Sequence, residues 1–197
     1  MAIITMRQAI SDALWEEMER DPKVFIMGQE VGVWGGTYAV TKGFLDHFGE
    51  KRVRDTPIAE SAIVGAGIGA SMVGLRPVSE IMTINFAFVA MDYIVNEAPK
   101  MHTMFGGQMS VPLVIRTAGG GGRQLGATHS QTPDAIFAHF PGLKVVSPGT
   151  PADAKPPADG PAGAAGASAS SESDGSAVVP VPAATKPGTR ARFSIQA

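Results

Sequence analysis

The sequence contains no cysteine, and that absence removes disulfide frameworks, thiolate zinc sites, iron–sulfur ligation and a cysteine nucleophile together. Positive charge is not in excess either. Sixteen Lys and Arg face eighteen Asp and Glu, so there is no basic field to hold a polyanion by counterion release, and nucleic acid is not expected as a partner. No apolar run approaches the roughly 18 residues that a membrane span needs, and Met1–Thr5 is a short apolar, strand-like stretch without the core or cleavage site of a secretory leader. A cytoplasmic protein with no membrane partner is expected. The four histidines, His47, His102, His129 and His139, show no H-E-x-x-H or comparable spacing, so no metal ligand set is expected from this chain.

Composition changes abruptly after Lys155. Of the 42 residues from Pro156 to Ala197, 28 are Ala, Pro, Gly or Ser, and the stretch has no Leu, Met, Tyr or Trp with which to offset chain entropy. A folded domain over 1–155 and a disordered low-complexity tail over 156–197 are expected. Within 1–155, helical and strand patterns alternate. Thr5 and Gln8 form a capping-box pair ahead of Met6, Ala9, Ile10, Ala13, Leu14 and Met18, which recur at helical spacing until Asp21-Pro22. Strands are predicted at Lys23–Met27, Arg52–Thr56, Arg76–Met82, Pro112–Thr117 and Leu143–Ser147. Helices are predicted at Val40–Phe48, Ile58–Val73, Phe86–Phe105 and Pro133–His139. Such alternation predicts an α/β fold with a mostly parallel sheet, whose ligands gather at the carboxyl ends of the strands.

Two glycine clusters invite phosphate chemistry, and their contexts argue against it. Gly65, Gly67 and Gly69 lack the G-x-G-x-x-G spacing after a strand and are better explained by close helix packing. Gly119–Gly122 with Arg123 lacks the Gly-Lys-Ser/Thr ending of a P-loop and reads as a mobile active-site loop. Two further segments sit where an α/β sheet keeps its site. Asp55-Thr56-Pro57-Ile58-Ala59-Glu60-Ser61 places a carboxylate at a helix start just past a strand, and Thr128-His129-Ser130-Gln131 places an imidazole beyond a glycine loop. On physics alone Glu60 is equally well a helix-terminus carboxylate worth about 0.3–1 kcal/mol through the helix dipole, and His129 a loop histidine bonded to backbone.

Four segments, in order, carry a resemblance: Thr56-Pro57-Ile58-Ala59-Glu60, Glu80-Ile81-Met82-Thr83-Ile84-Asn85-Phe86, Gly119 through Gln131, and Pro141-Gly142-Leu143-Lys144-Val145-Val146-Ser147-Pro148. Over about Ile4 to Lys155 the chain resembles the beta subunits of the first component of 2-oxo-acid dehydrogenase complexes, and within them the bacterial pyruvate branch. The resemblance implies the pyrimidine-binding domain of the thiamine-diphosphate (transketolase-like) fold. It implies catalytic roles for Glu60 and His129. Glu60 matches the glutamate that hydrogen-bonds the cofactor's aminopyrimidine and so promotes loss of the thiazolium proton. His129 matches the histidine that moves protons around the 2-oxo acid and in acyl transfer to lipoyl-lysine. Phe86 matches the aromatic that stacks on the pyrimidine, and Met82 lines the same pocket. Leu113 matches a residue whose carbonyl binds potassium in some relatives, with the remaining ligands falling past Lys155.

What the chain lacks also follows from the resemblance. The Gly-Asp-Gly motif that holds Mg²⁺ and the diphosphate belongs to an alpha subunit, so thiamine diphosphate is expected at an interface with that partner in a heterotetramer. Family members continue after Asp153-Ala154-Lys155 into a C-terminal domain that contacts the dihydrolipoyl acyltransferase core. Here that domain is expected to be absent and docking to the core weakened, as a shifted reading frame or a truncation would produce. The expected function is oxidative decarboxylation of pyruvate and acetylation of lipoyl-lysine. The alternatives are a branched-chain 2-oxo-acid or acetoin dehydrogenase beta subunit, or a non-catalytic remnant that binds an alpha subunit.

Overall fold

The structure is a computed structural model that describes residues 4–155 and 192–196. The predicted apolar start at Met1–Ile3, and all of the predicted tail except 192–196, lie outside the described residues. Helix α1 (Met6–Arg20) leads to strand β1 (Val24–Gly28), helix α2 (Phe44–Phe48), strand β2 (Val53–Asp55), helix α3 (Glu60–Met72) and strand β3 (Arg76–Ile81). A 3₁₀ segment (Ile84–Ala90), a π-helical turn (Tyr93–Glu97) and helix α4 (Ala98–Met104) follow. The remaining elements are β4 (Val114–Ala118), α5 (Asp134–Ala138), β5 (Lys144–Val146), α6 (Pro151–Ala154) and β6 (Arg192–Gln196).

The strands form one sheet in the order β2-β1-β3-β4-β6-β5, every pair parallel. The predicted parallel α/β sheet is therefore present. Successive strand residues face opposite sides, and two apolar cores result. One gathers Ile10, Leu14, Met18, Val24, Ile26, Phe44, Val78 and Val114 beneath α1. The other gathers Val64, Ile68, Ile81, Ile84, Ile94, Leu113 and Ile115 beneath α3 and the 3₁₀ segment.

Helix α1 matches its prediction, though only half of the capping box closes. Thr5 Oγ1 accepts from the Gln8 backbone at 3.2 Å, while the Gln8 side chain donates forward to Asp12 at 2.6 Å. The predicted helix at Val40–Phe48 is shorter, because Gly43 takes φ 83° and only Phe44–Phe48 winds beyond it. The single helix predicted over Phe86–Phe105 is three segments. Pro99, at the start of α4, offers no N–H to the preceding turn, and the chain widens into a π-helical turn just before it. Within the segment predicted as a tail, Arg192–Gln196 forms a strand between β4 and β5. Its Arg-Phe-Ser-Ile-Gln alternation is a strand signal, which the composition of the whole segment conceals.

Helix α3 lies close on the sheet because Gly67 lets it. A Cβ there would fall 2.5 Å from Ser79 Oγ and 2.8 Å from Leu113 Cδ1, and Ser79 Oγ donates across this contact to the Ile63 carbonyl at 3.2 Å. The reading of these glycines as packing residues holds for Gly67 and for Gly65, whose Cβ would come 3.1 Å from the Tyr93 ring, but not for Gly69, which is exposed with nothing within 4 Å. Below the loop after β1 lies an ion pair, Arg116 Nη2 to Glu80 Oε2 at 3.0 Å, with both side chains buried. Burial pushes the Glu80 carboxyl above the ordinary carboxylate range, and Arg116 opposes it.

Two sets of variants test this packing. Ala at Gly67 should gain about 1 kcal/mol of helix propensity and lose about 1–3 kcal/mol to overpacking, a net loss. At exposed Gly69, where a Cβ meets nothing within 4 Å, the same change should stabilise by up to about 1 kcal/mol. Urea unfolding of both variants reads the two signs. Arg116→Met should cost about 3–5 kcal/mol by stranding Glu80. Glu80 then titrates still higher in the folded state than in the unfolded chain. The contribution of its protonated form is thus present at low pH and lost as pH rises, and the deficit relative to the wild-type chain should be larger at pH 8 than at pH 5.

Candidate active site

Four adjacent parallel strands, β2, β1, β3 and β4, end at one edge of the sheet, and the sequence-predicted residues follow those ends. After β2, Thr56 donates its backbone N–H to the Gly28 carbonyl at 3.0 Å, and four residues later Glu60 opens α3. Its side chain is buried, with the residue 5% exposed, in a first helical turn whose dipole favours a negative charge. Glu60 Oε1 accepts from Gln29 Nε2 at 3.3 Å, and Gln29 directly follows β1. Asp55, at the end of β2, binds the neighbouring loop, accepting from the backbone N–H of Gly32 at 2.6 Å and of Val33 at 3.1 Å.

Met82 directly follows β3 and is half-buried. Beyond it the chain is tied to the loop after β4. Thr83 Oγ1 donates to Asn85 Oδ1 at 3.2 Å, Asn85 Nδ2 donates to Gln131 Oε1 at 2.9 Å, and the Gly120 N–H donates to the Gln131 carbonyl at 2.9 Å. This clamp brings His129 edge-on to the Phe86 ring, with centroids 5.1 Å apart and planes at 86°. Thr128 Oγ1 lies 2.9 Å from His129 Nδ1. Next to them lies a shallow depression lined among others by Tyr38, Thr83, Gly119, Arg123 and His129, with Arg123 over the Tyr38 ring at 4.8 Å.

The structure therefore joins Phe86 to His129 by ring contact and Glu60 to Gln29 by hydrogen bond. No hydrogen bond among the described residues links the first pair to the second. Leu113 is fully buried one residue before β4, while the other positions that the resemblance assigns to potassium lie outside the described residues. Among the described residues no three His, Asp or Glu side chains stand together as a metal ligand set. No helix among them is long and apolar enough to cross a membrane. Sequence reasoning missed Gln29 and the Asn85–Gln131 clamp. Gln29 had a signal, being the first polar residue past an apolar strand at the edge where sites gather. Nothing in the spacing joined Asn85 to Gln131, 46 residues apart.

Comparison with known proteins gives this arrangement a family. The chain is 51% identical over 152 residues to the pyruvate dehydrogenase E1 component subunit beta of Rickettsia bellii, covering 77% of this chain and 47% of that one. It is 51% identical over 155 residues to that of Rhizobium meliloti, covering 79% and 34%. It is 49% identical over 152 residues to a mitochondrial beta-1 subunit of Oryza sativa, covering 77% and 41%. The chain thus spans about half or less of the length of these relatives. A solved split-gene transketolase, described as an inactive β4 tetramer, shares the fold at a TM-score of 0.58 and 24% identity, covering 76% of this chain and 44% of that one. The model of the transketolase pyrimidine-binding domain matches residues 2–157, from α1 through β5 and α6, and the chain belongs to that family.

Proposed function

We propose that the chain is the pyrimidine-binding half of a thiamine-diphosphate-dependent pyruvate dehydrogenase, acting as its beta subunit with an alpha partner. One observation carries the reading: a buried carboxylate, Glu60, held by an amide, and an aromatic–imidazole pair, Phe86 and His129, stand at the same carboxyl edge of the sheet. These groups suit an aminopyrimidine, which needs a hydrogen-bond partner at a ring nitrogen, an apolar face and a nearby proton carrier. The names of the relatives point to pyruvate as substrate.

Thiamine diphosphate, when bound, supplies the electron sink for decarboxylating a 2-oxo acid. The residues of this chain do the rest. Glu60, fixed by a helix terminus and the Gln29 amide, would hold or accept a proton at the carboxylate oxygen left for a pyrimidine nitrogen. Phe86 and Met82 orient the ring and exclude water from it. His129, in ring contact with Phe86 and beside Thr128, carries protons to and from the substrate oxygen and assists acyl transfer to lipoyl-lysine. The diphosphate and its Mg²⁺ are assigned to the alpha subunit, and potassium at Leu113 belongs to the same proposal. Contact with the acyltransferase core and assembly into a heterotetramer complete the reading, and two of the three relatives reported are bacterial, which favours the cytoplasm.

Mixed with an alpha subunit of a bacterial relative, the chain should co-elute in size exclusion and support release of CO₂ from pyruvate. Glu60→Gln should lower kcat by about 10²-fold or more without moving the urea midpoint; full activity in that variant overturns the assignment. His129→Ala should lose a similar factor. A complex that forms and turns over branched-chain acids or acetoin instead supports the sister dehydrogenases. A complex that forms and turns over nothing supports a non-catalytic binder.

A further inference from the structure

Gln29 is 3% exposed and makes a single hydrogen bond, Nε2 to Glu60 Oε1 at 3.3 Å, while its own Oε1 is buried without a partner. The amide nitrogen faces Glu60 and the carbonyl oxygen is left without a partner. A stranded buried carbonyl costs free energy that an apolar side chain of the same size would not incur. Filling space does not explain this glutamine; its N–H does.

We propose that Gln29 is a positioning residue for Glu60. Its amide takes one carboxylate oxygen and leaves the other for the pyrimidine, so the inference rests on the proposed thiamine-diphosphate function. Being neutral, it does this without setting a second negative charge beside a carboxylate that must exchange a proton. No other hydrogen bond to the Glu60 carboxylate forms among the described residues. Among the described residues, none of the titratable groups on the elements around α3 hydrogen-bonds Glu60: Arg76 of β3 pairs with Asp21, and Glu97 of the π-helical turn is half-buried with no bond to it. Asp55 of β2 accepts from the loop N–H groups of Gly32 and Val33, Glu80 of β3 pairs with Arg116 of β4, and Tyr93 of the π-helical turn packs on Gly65. Glu60 is itself the only titratable side chain of α3.

The test is a carboxyl-carbon NMR titration of the full chain labelled at glutamate, with the Glu60 signal assigned by its loss in Glu60→Gln. In Gln29→Met the Glu60 signal should turn over about one pH unit higher than in the wild-type chain, as a donor to the ionised form is lost. In Gln29→Glu, isosteric with the native side chain and so the variant that carries the test if Met disturbs packing, the two carboxyls should titrate in separate steps, the upper one raised further. A wild-type profile in Gln29→Glu overturns the proposal. Because neither cofactor nor turnover enters, the two readings fail separately. Full activity in Glu60→Gln removes the function and leaves this contact, whereas an unshifted titration removes the contact and leaves the function.

Discussion

The closeness of α3 to the sheet is the constraint on which the rest depends. At Gly67 the helix backbone comes so near Ser79 and Leu113 that no side chain fits between them, and the Ser79 hydroxyl bonds the helix at Ile63. A helix held that tightly has little freedom to slide or roll, because packed interiors resist even small changes of volume. Its first residue, Glu60, is therefore delivered to one place beside Gln29. A looser helix would still bury Val64 and Ile68, but it would not hold a carboxylate to the tolerance that proton transfer requires.

The loops at the strand ends are disciplined by polar contacts instead. Asp55 gathers the turn after β1 through two backbone N–H groups, and the Asn85–Gln131 clamp fastens the glycine loop to the 3₁₀ segment. The Glu80–Arg116 pair sits beneath Gly36, where a Cβ would come within 3.0 Å of Glu80 Oε1. Buried charge is a poor source of net stability. The pair joins β3 to β4 across two strands that are also held by their backbone ladder.

Much of this was legible in the sequence, for identifiable reasons. Helix α1, the five strands up to β5 and the parallel class follow from periodicity and from turn residues such as Asp21-Pro22 and Gly49. The packing role of Gly67 was legible as a type of contact, but Ser79 and Leu113 as its partners were not, since they come from strands set by the three-dimensional crossover. The long helix failed because periodicity does not distinguish an α-helix from adjoining 3₁₀ and π turns, and Pro99 was the warning. Glu60, Met82, Phe86 and His129 came from resemblance, with local position as support. Gln29 and the Asn85–Gln131 clamp arise only when distant segments meet, and β6 was hidden because five alternating residues carry little weight in a long polar stretch.

The two tryptophans of the chain stand in opposite surroundings. Trp15 is edge-on to Phe44 and Phe48, about 5 Å from each, and stacks at a tilt near His47, whereas Trp34, in the loop after β1 that Asp55 gathers, is 71% exposed. Intrinsic fluorescence is consequently divided between an indole shielded within the α1–α2 aromatic group and one in water beside the strand ends. The emission of Trp15 follows the integrity of the fold, and quenching of Trp34 by a soluble quencher follows what covers that edge, so a single sample carries separate optical signals for folding and for occupancy.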